Sequence, residues 1–235
     1  MNKNDLIVVL TGAGISAESG IKTFRDYDGL WENHRVEDVA TPEAFDRDPV
    51  MVWRFYKERY FQSLDVQPNA GHYALVDLEK YFGDNFLLIT QNVDGLHERA
   101  GSKRVLEMHG KLLTCFCVGC KANYKMNEVD LNPEIPTCPA CGKFLRPDIV
   151  WFGEMPYFLE EIYQALKKVS VFISIGTSGH VYPASYFIAM AKQNKAKTIS
   201  VNFERPENNI FIEEFHQGKA GELLPELVKE WIGDL

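Results

Sequence analysis

The sequence predicts an α/β fold: a Rossmann-like, doubly wound parallel sheet that carries a helical insert and a small cysteine-rich module. Short apolar runs alternate with amphipathic stretches of helical spacing, which predicts a parallel sheet covered by helices. All five cysteines fall between positions 115 and 141, which predicts a separate module there. A chain of 235 residues has room for one large domain with such inserts.

Five apolar runs have the length and the polar flanks of buried strands: residues 6–10, 86–90, 104–108, 171–175 and 198–201. The stretches with helical spacing are residues 49–63, 70–82, 157–168, 183–193 and 221–231. Two segments interrupt the alternation, the strandless 31–65 and the cysteine-bearing 111–147. We therefore expect a discontinuous Rossmann-like domain (1–30, 66–110 and 148–235), a helical insert (31–65) and a cysteine module (111–147).

Composition and charge exclude several classes of protein. Apolar residues make up 46% and charged residues 25%, as in soluble globular chains and unlike disordered or fibrous ones. Every apolar run is far shorter than the roughly 20 residues of a membrane helix, and residues 1–5 do not resemble the start of a signal peptide. The net charge of −8 argues against nucleic acid as a partner. We expect a monomeric cytoplasmic protein without a membrane partner.

The cysteine spacing predicts a structural zinc site. Cys117 and Cys120 form one C-x2-C pair, and Cys138 and Cys141 form a second pair after 17 intervening residues. Two such turns complete a tetrahedron of thiolates, which leaves no open position for catalysis. The alternative is a redox pair or free thiols. Cys115 is left over and receives no role.

Glycine and polar residues follow four of the predicted strands and predict a nucleotide site. Gly12, Gly14 and Ala17 fit the pattern G-x-G-x-x-G/A after the first strand, where a backbone turn can approach a pyrophosphate closely. The usual acidic residue about 20 positions later is missing, which departs from the dehydrogenase fingerprint. The other polar strand ends are Gln91 to Asp94, Gly176 to Ser178 and Asn202 to Glu204. Ligands of open α/β sheets bind at these ends.

One of the six histidines stands out by position. His109 ends a predicted strand just before the cysteine module. Its imidazole would face the crevice expected between the α/β frame and its two inserts, and could act there as a general base. On position alone, a structural role for His109 is favoured over a catalytic one. Four of the remaining histidines have polar or loop-like neighbours and receive no role: His34, His72, His180 and His216. His97 is expected at a solvated helix start.

Taken together, these segments resemble the sirtuins, the NAD-dependent protein lysine deacylases. The matching segments span most of the chain in the family's order: 12–25, 90–97, 109–110, both cysteine pairs, 150–154, 176–178 and 202–204. Lys22 departs from a common Pro, and Trp151 replaces a common Phe while it keeps an aromatic wall.

The resemblance implies a site for NAD as co-substrate. Gln91 and Asn92 would contact the nicotinamide ribose, Asp94 would hold the nicotinamide amide, and Asn202 and Glu204 would contact the adenosine ribose. The residues that the resemblance assigns to NAD are Gly12, Ala13, Gly14, Ser16, Ala17, Thr23, Phe24, Arg25, Trp31, Gln91, Asn92, Val93, Asp94, Gly176, Thr177, Ser178, Asn202, Phe203, Glu204 and Ala220.

The resemblance also implies a reaction and a protein partner. An acyl-lysine amide oxygen would attack the ribose carbon, with His109 as catalytic base and Asn92 as its catalytic neighbour. The products would be lysine, nicotinamide and an O-acyl-ADP-ribose. Acylated proteins would bind as an extended peptide along Val150, Trp151, Phe152, Gly153 and Glu154 by strand addition.

Three residues resemble the acyl pocket of the sirtuin branch that removes acidic acyl groups, often called class III and similar to the bacterial CobB-type enzymes. Tyr56 and Arg59 match its Tyr-x-x-Arg pair, and Ala40 matches the small residue that widens the pocket. An arginine offers a planar fork to a carboxylate. We expect activity on succinyl-, malonyl- and acetyl-lysine. The alternative for Arg59 is a packed stem with its guanidinium in water.

Three rival functions remain. A protein ADP-ribosyltransferase would use the same NAD site, a conventional NAD oxidoreductase would need the missing acid, and a zinc-ribbon binding module would need no polar strand ends.

Overall fold

The structure is a computed structural model of the chain and describes residues 1–22, 30–31 and 34–233. The side chains of residues 30 and 31 lie outside the description. Thr23, Phe24 and Arg25, which were assigned to NAD, lie outside the described residues, and Trp31 is described only through its strand.

The strands are, in chain order, β1 (Ile7–Thr11), β2 (Leu30–Trp31), β3 (His34–Arg35), β4 (Phe86–Thr90), β5 (Val105–Glu107), β6 (Gly110–Cys117), β7 (Asn123–Lys125), β8 (Leu145–Ile149), β9 (Val171–Ile175), β10 (Lys197–Asn202) and β11 (Glu214–Gln217). The α-helices are α1 (Val36–Val39), α2 (Pro42–Arg47), α3 (Pro49–Asp65), α4 (Ala70–Phe82), α5 (Leu96–Ala100), α6 (Leu159–Leu166), α7 (Ala184–Gln193) and α8 (Ala220–Ile232).

The main sheet has six parallel strands in the order β11-β10-β9-β1-β4-β5. The chain moves outward from the central β1 to β4 and β5, and then crosses to β9 and continues to β10 and β11. This is the doubly wound order of a Rossmann fold, whose switch point lies between β1 and β9. The predicted fold class is therefore confirmed.

The side chains of β1 alternate between the two faces of the sheet, and this divides the core into two layers. Ile7 and Val9 pack against α4 and α8 on one face of the sheet, whereas Val8 and Leu10 pack against α6 and α7 on the other. Because successive side chains of a strand point to opposite faces, a run of apolar residues is required where both faces are covered.

A third core lies above the carboxyl ends of the strands and joins the insert to the cysteine module. Helices α1 to α3 pack on a three-stranded antiparallel sheet of order β7-β6-β8. The buried Trp53 of α3 donates its indole N–H to the carbonyl of Leu145 at 2.9 Å. The two interruptions of the sequence thus pack together and form the roof over the parallel sheet.

The expectation that residues 31–65 lack strands is wrong at their start. The two-residue strands β2 and β3 pair antiparallel, with Trp31 opposite His34. Such short pairs carry no apolar run and leave no periodic signal. No helix among the described residues has the length and apolar character needed to cross a membrane.

Candidate functional site: a cleft over the carboxyl edge of the sheet

A cleft of about 1210 Å³ separates the roof from the carboxyl ends of the parallel strands. Its walls include nearly all the described residues that were singled out in the sequence. These are Gly12, Ala13, Gly14, Ala17, Ala40, Arg59, Gln91, Asn92, Val93, Asp94, His109, Val150, Trp151, Phe152, Gly153, Glu154, Gly176, Thr177, Ser178, Asn202, Phe203, Glu204 and Ala220. Ser16 and Tyr56 lie behind the wall, where both are buried.

The turns after β1 and β9 touch each other at the switch point. The N–H of Gly14 donates to the carbonyl of Gly176 at 2.9 Å. A Cβ on Gly14 would lie 2.6 Å from the Cα of Gly176, and a Cβ on Gly12 would lie 2.8 Å from its carbonyl oxygen. Only glycine therefore fits at these positions, and the resulting bare backbone can approach a phosphate closely.

A buried hydrogen-bond network orders the polar residues after β4. The Asn92 amide donates to the Gly12 carbonyl at 3.1 Å and to the Ser16 hydroxyl at 3.2 Å. Ser16 in turn donates to Asp94 at 2.7 Å, and the Leu96 N–H donates to the other carboxylate oxygen at 2.9 Å. Burial raises the pKa of Asp94, although these donors act against the rise. Ser16 thus contributes by orienting Asp94 and Asn92.

His109 is held in the tautomer that a general base requires. Its Nδ1 lies 3.1 Å from the carbonyl oxygen of Gln91, and a carbonyl only accepts, so Nδ1 carries the hydrogen. The lone pair is therefore on Nε2. Burial lowers the pKa of His109, and the bond to Gln91 only partly offsets this effect. The ring is neutral at physiological pH and can accept a proton in the cleft.

Two other histidines lie beneath the network, and the expectation that His97 occupies a solvated helix start is wrong. His72 is fully buried, His97 is 2% exposed, and their ring centroids are 4.9 Å apart. The Nε2 atom of His97 lies 2.9 Å from the Thr11 hydroxyl, and that of His72 lies 3.5 Å from the Ser16 hydroxyl. Burial lowers the pKa of His72 to about 4 and lowers the pKa of His97 well below its usual range. Both rings are therefore neutral and fill the buried space behind Ser16.

The sequence contains a weak signal for His72. It is the third residue of α4, and its Nδ1 accepts the backbone N–H of Asn69 at 3.3 Å while Asn69 caps the helix. A polar residue three positions after an Asn cap is typical of a capping box. The burial of His97 comes from long-range contacts with β1, which no local pattern of the sequence encodes.

Helix α3 brings the acyl-pocket candidates to the roof of the cleft. The Arg59 side chain is only 11% exposed, and its guanidinium lies 4.0 Å from the ring centroid of Phe55 and bonds to Glu58 at 2.9 Å. The Tyr56 hydroxyl accepts the indole N–H of Trp151 at 2.9 Å. Burial raises the pKa of Tyr56, so it stays a neutral hydroxyl. Arg59 thus lies in the cleft wall with little of its side chain in water.

A clamp that the sequence did not reveal fixes the segment 150–154. Arg146 donates to Glu154, and its guanidinium lies 3.5 Å from the ring centroid of Trp151. Burial would raise the pKa of Glu154, but Arg146 and the Trp151 N–H outweigh burial and lower it. The Phe152 N–H donates to the carbonyl of Ala40 at 2.9 Å. The segment is therefore attached to the insert on one side and to β8 on the other.

The four paired cysteines fit a structural zinc ion. All four sulfur atoms lie within 4.8 Å of one another, with 3.4 Å between Cys117 and Cys141 and 3.7 Å between Cys120 and Cys138. Zinc–sulfur bonds of about 2.3 Å place tetrahedral thiolates about 3.8 Å apart, which agrees with this geometry. Cys115 lies outside the cluster, and burial raises the pKa of its thiol to about 12.

Comparisons with known proteins agree with this geometry. The family model described as "Sir2 family" matches residues 12–183. An "NAD-dependent protein deacylase" of Bdellovibrio bacteriovorus is 54% identical over 230 residues, which cover 96% of each chain. A protein of the same description from Pasteurella multocida is 52% identical over 236 residues, which cover 99% of this chain and 100% of its own.

Solved structures show the same fold. A Sir2 homologue in complex with NAD superposes with a TM-score of 0.89 at 40% identity and covers 97% of this chain and 90% of its own. A structure described as "Sir2-p53 peptide-NAD+" has a TM-score of 0.85 at 32% identity and covers 96% of this chain and 93% of its own. On these matches, the chain belongs to the Sir2 family.

Proposed function

We propose that this protein is an NAD-dependent protein lysine deacylase that removes succinyl, malonyl and acetyl groups from lysine side chains. The observation that carries the proposal is the position of His109, a neutral imidazole with its lone pair on Nε2, in the wall of one cleft that glycine turns and the segment 150–154 also line. The deacylase names of the relatives support it.

The described residues fit NAD. The turns of Gly12 and Gly14 bring bare backbone to the cleft wall, where no side chain would block the approach of the pyrophosphate. Asn202 ends β10 and Glu204 lies just after it, in the part of the cleft wall that β10 supplies. Asn92 and Asp94 lie just after β4, in the part that β4 supplies. When bound, NAD supplies an electrophilic ribose carbon and nicotinamide as its leaving group.

The chain's own residues would then position the bound dinucleotide and deprotonate one of its ribose hydroxyls. Asn92 and Asp94 are immobilised by Ser16 and would orient the nicotinamide riboside end. His109 would take a proton from a ribose hydroxyl at Nε2, which its bond to Gln91 leaves unprotonated. The cleft would also hold the lysine amide in line with the ribose carbon, and such positioning is worth roughly 7–11 kcal/mol of a reaction barrier.

The acyl preference follows from Ala40, Tyr56 and Arg59. Arg59 lies in the cleft wall, and a carboxylate that displaces Glu58 from it would gain a charge-assisted bond. Tyr56 lies three residues before Arg59 on the same side of α3, and the small Ala40 lines the same wall as Arg59. The segment 150–154 would receive the substrate as an extended peptide. We further propose a monomer in the cytoplasm without nucleic-acid partners, in keeping with the charge of −8 and the reduced cysteines that zinc requires.

A mass-scored assay tests the function. Acetyl-lysine and succinyl-lysine versions of one peptide are incubated with the protein, with and without NAD. Each peptide is expected to lose its acyl mass only when NAD is present, with one nicotinamide released per lysine. The matched variant His109→Ala should lose about 100- to 10,000-fold in turnover of both peptides, the usual contribution of a general base. Acyl loss without NAD, or a peptide or protein that gains the mass of ADP-ribose, would overturn the proposal in favour of a different chemistry.

A further inference from the structure

An ion-paired triad surrounds the turn that carries His109. Glu107 ends β5 and Lys111 lies near the start of β6, so the two residues stand on either side of His109. The Lys111 ammonium pairs with the Glu107 carboxylate and, at 2.7 Å, with Glu98 of α5. Glu107 is only 5% exposed, whereas Lys111 is 33% and Glu98 is 45% exposed.

The triad joins the two segments that carry the reactive residues of the cleft. Helix α5 begins at Leu96, two residues after Asp94, and the Leu96 N–H donates to the Asp94 carboxylate. Lys111 therefore bridges the segment of Asp94 to the segment of His109. Backbone bonds fix the sheet side of the turn, since the Met108 N–H donates to Thr90 at 3.0 Å and the His109 carbonyl accepts from Val150 at 2.9 Å.

From this arrangement we propose that Glu107, Lys111 and Glu98 form a positioning triad that sets the His109 imidazole relative to Asp94. The proposal rests on the deacylase function and names residues that act on its base without touching substrate. Neither Glu107 nor Glu98 lines the cleft, and neither does Lys111.

The charges around Glu107 make the triad sensitive to pH. Burial raises the pKa of Glu107 to about 7, against the ion pair with Lys111, and Glu98 and Asp94 raise it further. Burial opposes the charge of Lys111, but its bonds to Glu107 and Glu98 outweigh this and raise its pKa. Protonation of Glu107 removes one arm of the triad at a pH where His109 is still neutral.

The raised pKa of Glu107 distinguishes a positioning role from a purely stabilising role. A carboxyl whose pKa is higher in the folded than in the unfolded state holds more protons when folded. The free energy of unfolding therefore falls as the pH rises from about 4.5 to about 7 and stays lowered above that range. Ionisation of Glu107 in the folded protein therefore lowers the free energy of unfolding relative to the protonated form, while the same ion pair raises the pKa of Lys111. A residue kept only for stability would have the opposite sign.

Kinetics of the Glu107→Gln and Lys111→Gln variants between about pH 6.5 and 8.5 test the triad, with NAD and an acetyl-lysine peptide. Both variants are expected to lose about 10- to 100-fold in kcat at pH 8.5 with KM changed less than twofold, the usual loss for a displaced catalytic group. The wild-type kcat should fall toward the Glu107→Gln value as the pH approaches 6.5, while Glu107→Gln itself stays level. Lys80→Gln, which breaks an exposed ion pair with Asp77, is the matched control and should change neither value.

Thermal unfolding at pH 8 completes the test. Glu107→Gln should have a Tm no lower than that of the wild type. A wild-type kcat in Glu107→Gln, a pH profile of unchanged shape, or a Tm that falls in parallel with kcat would overturn the triad. If Lys111→Gln does not fold, Glu107→Gln decides alone. A wild-type protein without NAD-dependent deacylation would instead refute the proposed function before any variant is compared.

Discussion

Arg59 is the residue on which the proposed acyl preference depends. It is the fourth member of a helical stripe that begins at Val52 and continues through Phe55 and Tyr56, all of which are buried. A guanidinium at a core-facing position is costly unless it is paired. In this fold it stacks on Phe55, bonds to Glu58 and lies in the cleft wall. Under the proposed function, an incoming acyl carboxylate would take the place of Glu58.

The substitution Arg59→Met should separate the two substrates. Desuccinylation is expected to fall about 10- to 150-fold, the value of a charge-assisted hydrogen bond, while deacetylation stays within about twofold. The control Arg54→Met makes the same change on the exposed face of α3 and should leave both rates unchanged. Rates of mass loss from the paired peptides measure the ratio. Equal losses on both peptides would remove Arg59 from the acyl site.

The sequence predicts the positions of some functional residues but not of others. Positions such as Gly14, Asn92 and Asn202 could be placed because polar residues after parallel strands must meet at one edge. The burial of His97 could not be predicted, because it arises from contacts with Thr11 across 86 positions of the chain. The clamp of Arg146 on Trp151 likewise depends on the packing of two modules.

At the scale of elements, local patterns carried most of the parallel sheet. The runs at 86–90 and 171–175 coincide with β4 and β9, and the predicted α4 spans its observed range. Strand β11 was missed because its sequence, Glu-Phe-His-Gln, is polar and belongs to a sheet edge. Edge strands need few apolar residues, so they give no signal of buried strands.

The cysteine module should depend on its metal and transmit the loss of metal to the cleft. It shares a core with α3, so unfolding of β6 to β8 would release Trp53 and Tyr56. Cys120→Ser is expected to lose bound zinc, to lower Tm and to reduce turnover, since structural zinc contributes about 10–16 kcal/mol to such modules. Zinc content per chain and thermal unfolding provide the measurements.

The matched variant for this element is Cys115→Ala. Cys115 is fully buried in β6 and lies outside the sulfur cluster, so this variant should keep one zinc per chain. Its Tm will fall only by the cost of a small cavity. A Cys120→Ser protein with full zinc content, or a Cys115→Ala protein without zinc, would contradict the assignment of the ligands.

At the scale of the whole molecule, the function comes from the meeting of two layers. The parallel sheet supplies glycine turns and polar strand ends, the insert supplies Ala40 and Arg59 of the proposed acyl pocket, and the segment 150–154 follows the cysteine module. Sequence spacing predicted both layers, but their separation by a cleft follows from the third core, which links the two interruptions. His109 lies where the last strand of one half of the sheet enters the roof.

The most direct test of this account is a crystal structure of the protein with NAD and a succinyl-lysine peptide. The account predicts the Nε2 atom of His109 within about 3 Å of a hydroxyl of the nicotinamide ribose, with the pyrophosphate on the Gly12 and Gly14 turn and the succinyl carboxylate at Arg59. An imidazole remote from that ribose, or a dinucleotide bound outside the cleft, would contradict it.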